Sequence, residues 1–315
     1  MNYKKKILIA GGAGFIGSHL CERLLKKNYK VICIDNLHTG NKNNIKNFIS
    51  NKNFIFKKHD ITNKLNIKAD YILNFACPAS PVAYQTDPIK TVKTCVIGTS
   101  NLLDLSRKNK SIFLQASTSE IYGDPLTHPQ KENYWGNVNP IGIRSCYDEG
   151  KRCAETLCFD FKRFYKMDVR VVRIFNTYGP NMQVDDGRVI SNFINQSLRN
   201  KNITIYGNGD QTRSFCFVDD LVEVIIKIIE KKNKINQPIN IGNPEEQTIK
   251  QLANKIIQLT GTKSRIKYIN LPPDDPYKRC PDITFAQKNF LWSPKIALKE
   301  GLLKTIDYFK NKHYY

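Results

Sequence analysis

The chain contains little that would anchor it in a membrane, cross-link it or load it with metal. No apolar run approaches the length of a membrane span, about 18 residues. Its first residues lead through Lys4-Lys5-Lys6 into a strand-like run, without the apolar core and cleavage site of a secretory signal. Nine cysteines are scattered at 21, 33, 77, 95, 146, 153, 158, 216 and 280. None forms C-x-x-C and no histidine cluster accompanies them, so they are expected to be reduced packing residues, neither disulfides nor metal ligands. A cytoplasmic protein without a metal site is the resulting expectation. Acidic residues are scarce as well: 28 against 49 basic ones, a formal net charge of +21. The lysines are spread among Asn and Ile, as in Asn41-Lys42-Asn43-Asn44-Ile45-Lys46-Asn47, and form no stripe interleaved with aromatics. That distribution argues against a specific nucleic-acid surface or a membrane surface. The overall positive field still favours an anionic small molecule.

What is present starts with glycine. The strand-like run Lys5-Lys6-Ile7-Leu8-Ile9-Ala10 leads into Gly11-Gly12-Ala13-Gly14-Phe15-Ile16-Gly17, and an amphipathic helix follows from about 18 to 27. A strand, a glycine turn and a helix N-terminus make a pyrophosphate cradle, because backbone N–H groups and the helix dipole both favour an anion. Glycines at 11, 14 and 17 give G-x-x-G-x-x-G, a variant of the dinucleotide-binding spacing. A second strand, Val31-Ile32-Cys33-Ile34, ends on Asp35, eighteen residues past Gly17. An acid there accepts hydrogen bonds from ribose hydroxyls and repels a 2′-phosphate, which favours NAD over NADP.

Ser117-Thr118-Ser119-Glu120 follows another strand-like run, and Tyr147 and Lys151 lie four apart on a predicted helix. That spacing puts both side chains on one face, one turn from each other. A lysine ammonium near a phenol is expected to lower the phenol's pKa and make it a base for a sugar hydroxyl. Tyr-x-x-x-Lys alone occurs by chance in many helices; the glycine turn makes it specific.

At 315 residues the chain has room for one large α/β domain and a smaller lobe. Strand-like runs at 5–10, 31–34, 54–56, 71–76, 111–116 and 169–174 alternate with helical ones, including about 90–109 and 146–166. This predicts a Rossmann-type doubly wound parallel sheet. From Asn176 Gly-Pro punctuation and loops increase, with a β-rich piece at 213–218, a helix near 219–232 and a loop from Tyr277 to Pro281. Further helices are predicted near 185–199, 248–260 and 296–311. Residues 1–175 with about 213–236 are therefore assigned to an NAD-binding domain. The stretches 176–212 and 237–315 are assigned to a smaller α/β substrate lobe, with a cleft between the two.

These motifs together resemble the extended short-chain dehydrogenase/reductase superfamily, and within it the UDP-glucuronate decarboxylase family. The likeness runs from about Lys6 to Phe309. Its narrower carriers are Tyr134-Trp135-Gly136-Asn137-Val138-Asn139-Pro140-Ile141-Gly142, Arg173-Ile174-Phe175-Asn176-Thr177-Tyr178-Gly179-Pro180 and the stretch from Asp274 to Asp282. Three cysteines depart from the family pattern: Cys77 beside the nicotinamide site, and Cys153 and Cys280, to which no chemistry is assigned.

The resemblance implies that UDP-glucuronate is converted to UDP-xylose and CO2, with NAD regenerated each cycle. It implies catalytic roles for Thr118, Ser119, Glu120, Tyr147, Lys151 and Arg279. The NAD site would comprise Gly11, Gly14, Phe15, Ile16, Gly17, Asp35, Asn36, Thr39 and Gly40, continuing through Asp60, Ile61, Ala76, Thr94, Tyr147 and Lys151. Substrate contacts would come from Tyr84, Lys90, Asn176, Arg188, Tyr206, Gln211, Arg213 and Arg279. Glu120 is expected either to position a water or to donate a proton at C5. A homodimer is implied, with helices 90–109 and 146–166 of two subunits in a four-helix bundle. Competing readings are a 4,6-dehydratase, which carries Thr-Asp-Glu where this chain has Thr118-Ser119-Glu120, a 4-epimerase, and a non-catalytic dinucleotide sensor.

Overall fold

The structure, a computed structural model, describes residues 3–313. Alternating burial along the first strands decides the architecture. In Lys6–Ala10 (β1), Lys30–Asp35 (β2), Tyr71–Asn74 (β4), Ile112–Thr118 (β5) and Val169–Ile174 (β6), successive side chains enter opposite cores, while the edge strand Phe54–Lys58 (β3) packs Phe54 and Phe56 inward and exposes Ile55. Ile7, Ile9, Val31, Cys33 and Leu73 pack on one face. Leu8, Ala10, Ile32, Ile34 and Ile72 pack on the other. A sheet buried on both faces needs helical cover on both, as a parallel sheet has.

Short strands follow at Thr177–Tyr178 (β7), Ile203–Tyr206 (β8), Thr212–Ser214 (β9), Cys216–Phe217 (β10), Ile239–Ile241 (β11), Glu246–Thr248 (β12), Ile266–Ile269 (β13) and Lys278–Arg279 (β14). The main sheet has seven strands in the order β11-β6-β5-β4-β1-β2-β3, with parallel pairing throughout. Chain direction across it reverses between β1 and β4, which opens a crevice at the strands' carboxyl ends. β11 lies in the stretch assigned to the substrate lobe and hydrogen-bonds to β6 at the sheet edge. A separate sheet, β12-β9-β14, aligns Arg279 with Arg213. The segment 277–281, expected to be a loop, contains β14: two residues are too short to display a strand period.

The helices are Phe15–Lys26 (α1), Pro81–Thr86 (α2), Pro88–Lys93 (α3), Thr99–Asn109 (α4), Ser145–Tyr165 (α5), Val189–Leu198 (α6), Val218–Glu230 (α7), Ile249–Thr260 (α8), Thr284–Phe290 (α9) and Leu298–His313 (α10). Among the described residues, no helix is long and apolar enough to cross a membrane. The expected helix 90–109 is broken by a π-helical turn at Thr94–Gly98, where Gly98 abuts Ile61. Such single π turns gather at functional sites. α5 buries Tyr147, Lys151, Ala154, Glu155 and Cys158, spaced three or four apart, as one helical face.

A buried ion pair ties α5 to the sheet. The Glu155 carboxylate pairs with the Arg173 guanidinium at 2.8 Å and accepts a hydrogen bond from the Ser117 hydroxyl. Truncating the acid would strand a buried guanidinium, which costs about 3–5 kcal/mol. Glu155→Ala is therefore expected to lower the unfolding free energy from urea titration by that order. A loss below about 1 kcal/mol would show that the pair does not brace the sheet.

Candidate functional site

The glycine turn is closed by contacts that a larger residue would prevent. Gly11 has φ +77°, and a Cβ there would lie 2.7 Å from the Phe75 backbone. At Gly17 a Cβ would lie 2.1 Å from the Gly11 carbonyl oxygen. α1 thus starts hard against the strand ends, with Gly14 at its N-cap and no side chain capping its first N–H groups. Those donors and the positive helix end face a cavity. Gly11, Gly14, Phe15, Ile16 and Gly17 line it, as do Asp35, Asn36, Thr39, Asp60, Ile61, Ala76 and Thr94. This donor set, narrow at the glycines and acidic at the end of β2, fits a dinucleotide.

The acids of this cavity are braced. Asp35 accepts the Ala13 N–H at 3.0 Å and the Leu37 N–H at 2.8 Å, and burial still raises its carboxyl above the usual range. Asp60 accepts from the Asn36 amide at 2.8 Å. Burial disfavours the Asp60 charge, but hydrogen bonds from Thr62 and Asn36 outweigh it and lower the carboxyl. Gly40 does not line the cavity; it packs against Asp35, where a Cβ would come within 2.5 Å of the carboxylate. Lys90, expected among the substrate contacts, lies in this glycine-loop cavity, where its charge helps to lower Asp60.

A second cavity adjoins the first, sharing Ile16, Phe75, Cys77, Ala79 and Arg188 as walls. It brings together Thr118, Ser119, Glu120, Tyr147, Lys151 and Arg279. Tyr84, Asn176, Arg188, Tyr206, Gln211 and Arg213 line it too. β5 delivers Thr118 at its carboxyl end, and the 3-10 turn Ser119–Tyr122 presents Glu120. Tyr147 is buried under Tyr84, the rings stacked at 5.1 Å. Gln211 Oε1 and the Tyr84 hydroxyl are buried without a hydrogen-bond partner among the described residues, so each has capacity for a ligand.

The expected lowering of the Tyr147 phenol is not what this geometry produces. Burial, followed by Cys77, pushes it well above its usual value, and only the Thr118 hydrogen bond among the main contributors works downward. Lys151 donates to the Ala116 carbonyl at 2.8 Å, with its ammonium 5.7 Å from the Tyr147 ring centre. Helical spacing brought the lysine near, but desolvation of the phenolate dominates.

Glu120 sits in a clamp of guanidiniums. Arg144 reaches one carboxylate oxygen at 2.6 Å, and Arg279 spans both at 2.7 and 2.9 Å. Burial opposes ionisation, but Arg279 and Arg144 outweigh it and hold the carboxyl at about 2. Glu120 is therefore ionised at neutral pH and serves as a hydrogen-bond acceptor, not as an acid. Arg213 packs behind, paired with Asp275 at 3.1 Å; burial and then Arg279 lower it to about 10.

Sequence reasoning missed Arg144 and Asp275. Arg144 stands three residues before Tyr147, a spacing that shares a helix face and was a readable signal. Asp275 lay within a recognised segment, but its pairing with Arg144 at 3.5 Å and with Arg213 is purely tertiary.

Asp148 has no role in these expectations, yet burial and then Glu120 raise its carboxyl to about 8. Folded chains thus hold a proton that unfolded chains release, so the group lowers native stability progressively from about pH 4 to about pH 8. The stability difference between Asp148→Asn and the parent is expected to move in favour of Asn between pH 5 and pH 8 in urea unfolding. A difference that does not change with pH would contradict the assigned burial.

Comparison with known proteins agrees with this geometry. The NAD dependent epimerase/dehydratase family profile matches residues 7–242. UDP-glucuronic acid decarboxylase 5 of Arabidopsis thaliana is 52% identical over 94% of this chain and 87% of its own length. UDP-glucuronic acid decarboxylase 1 of Xenopus tropicalis is 48% identical over 98% and 73%, respectively. Among solved structures, UDP-glucuronic acid 4-epimerase of Bacillus cereus, in complex with UDP-glucuronic acid and NAD, superposes with a TM-score of 0.88. It is 29% identical, with 98% of this chain and 99% of that one covered. A glycine-turn cavity opening onto a Thr-Tyr-Lys cavity is thus the shared frame, and the chain belongs to the NAD dependent epimerase/dehydratase family and, within it, to the UDP-glucuronic acid decarboxylases.

Proposed function

We propose that this protein converts UDP-glucuronate to UDP-xylose and CO2 through a 4-keto intermediate, with NAD recycled in each turnover. The observation that carries the proposal is one buried cavity in which Tyr147 and Thr118 stand beside the carboxylate-binding pair Arg144 and Arg279. Substrate chemistry explains why both are needed. A glucuronate carboxylate does not leave while C4 is an alcohol, because its electrons have nowhere to go. Once C4 is a ketone the sugar is a β-keto acid, and loss of CO2 gives an enolate. Reprotonation at C5 and reduction at C4 then give the pentose.

Bound NAD⁺ supplies the hydride acceptor for C4 and, reduced, the donor that restores it. The N–H groups around Gly11, Gly14 and Gly17 would hold its pyrophosphate and Asp35 its adenosine ribose, with Phe15, Ile16, Asn36, Thr39, Asp60, Ile61, Ala76 and Thr94 as walls. The positive charge of bound NAD⁺ would offset the burial that raises the Tyr147 phenol, so that Tyr147 would take the C4 hydroxyl proton, with Thr118 hydrogen-bonding to the same oxygen and Lys151 orienting the pair. Arg279 and Arg144 already grip one carboxylate, that of Glu120, which supports their capacity for a sugar carboxylate. Ionised Glu120 would position a water, with Ser119 at its side. Arg188 at the junction of the two cavities and Arg213 suit the diphosphate, with Asn176, Tyr206, Gln211 and Tyr84 lining the path.

In this reading residues 1–175 and about 213–236 form the cofactor domain, from which Thr118, Glu120, Tyr147 and Arg213 also reach the sugar cavity, while about 176–212 and 237–315 form the nucleotide-sugar lobe. We further infer a homodimer in which the helical run 90–109 (α3, the π turn and α4) and α5 of two subunits form a four-helix bundle, a reading supported by exposed Ile89, Val92 and Ile97 on α3 and the π turn. Nine free cysteines suit a reducing, cytoplasmic setting.

Incubation with UDP-glucuronate and NAD⁺ is expected to yield CO2 and a UDP-pentose, identified by mass and sugar NMR. A UDP-hexuronate inverted at C4, with no CO2, would overturn the proposal. Tyr147→Phe is expected to lose at least about 10²-fold in turnover, the scale of one general acid–base group, while still binding NAD. Parent-level activity would remove Tyr147 from this role.

A further inference from the structure

Among the described residues outside the two cavities, one cluster combines three different metal-binding side chains. His128, Glu246 and Cys280 come from segments far apart in sequence, so spacing alone concealed them. Their donor atoms lie within 4.8 Å of one another. His128 Nε2 is 2.8 Å from Glu246 Oε2, and the Cys280 thiol, buried beside them, donates to the Pro244 carbonyl at 3.3 Å. We propose that His128, Glu246 and Cys280 form a zinc-class divalent-metal site that pins the strand carrying Arg279.

The surroundings are arranged as a metal site requires. The Thr212 hydroxyl donates to Glu246 Oε1 at 2.7 Å, which orients the carboxylate and leaves Oε2 towards the imidazole. Cys280 is fixed through its backbone: its N–H donates to Gln130 Oε1 at 2.8 Å, and its carbonyl accepts the Gln130 N–H at 2.8 Å. An ion bonded at about 2.0–2.3 Å to each donor keeps ligand atoms roughly 3–4 Å apart, so small side-chain movements suffice here. Thiolate with imidazole selects zinc-like ions over calcium or magnesium. The exposed His128 and Glu246 side chains leave a way in from solvent and room for a water as fourth ligand.

A nucleophilic role for this thiol does not fit. Burial and then Glu246 push Cys280 up to about 12, so without metal it remains a protonated thiol. Metal binding would displace that proton into solvent, and affinity would rise with pH. The consequence is positional. Cys280 directly follows Arg279, and Glu246 lies on β12, which pairs with β9 beside β14. One ion would therefore bind the loop of His128 to the small sheet that presents Arg213 and Arg279.

The test uses the full chain, freed of metal by chelation and dialysed against micromolar Zn²⁺. One bound Zn²⁺ per chain is expected, with affinity weakened by more than about 100-fold in Cys280→Ser and in His128→Ala. Substituted Co²⁺ is expected to show a thiolate-to-cobalt charge-transfer band that Cys280→Ser lacks. Zn²⁺ is expected to slow amide hydrogen exchange at residues 278–282 in the parent only. Should Cys280→Ser fail to fold, His128→Ala decides the question with the same readouts. Equal metal content in parent and variants, or a Co²⁺ complex without the thiolate band, would overturn the site. Unchanged exchange at 278–282 on zinc saturation would overturn the positional role.

Discussion

Everything around the substrate cavity depends on a group of buried charges that do not cancel. Arg144, Arg213 and Arg279 face Glu120 and Asp275 in one small volume, three cations against two anions. Ions removed from water are tolerated only when paired, and here one positive charge is left over. Asp148 could have balanced it, but burial keeps that acid protonated at neutral pH. The surplus makes an anion the natural occupant, and a sugar carboxylate beside Tyr147 is such an anion.

The fold exists, for this purpose, to deliver those charges to one point. β5 ends where the parallel sheet opens its crevice, and the turn after it presents Glu120. The N-cap of α5 supplies Arg144 and its first turn Tyr147. Arg213 and Arg279 arrive as register partners on adjacent strands of a small sheet separate from the main one. The glycine turn at the neighbouring switch point needs none of these charges, only the close approach that Gly11 and Gly17 permit. Cofactor cradle and charge clamp are thus separate devices joined at a shared wall, with Arg188 between them.

How much of this was legible in the sequence follows the range of each interaction. The glycine turn, Asp35, the alternating strands and the Tyr147/Lys151 pair are local patterns, and they read correctly as fold and as cavity lining. The π turn at Thr94–Gly98 was hidden because it inserts a slip within an otherwise helical period. β14 was hidden because two residues carry no period, and β11 because nothing local indicates which sheet edge it will join. Lys90 read as a substrate contact but stands in the other cavity, a placement set by the course of α3. Proximity of Lys151 to Tyr147 was readable, whereas the burial that raises the phenol is a property of the whole packed site.

The account's central claim is chemical: C4 must be oxidised before the carboxylate of a UDP-glucuronate bound beside Tyr147 can leave. The most direct measurement is single-turnover CO2 release from UDP-glucuronate carrying deuterium at C4. The account predicts that release is slower than from the unlabelled sugar, because cleavage of the C4–hydrogen bond comes first. Identical release from both sugars would contradict it.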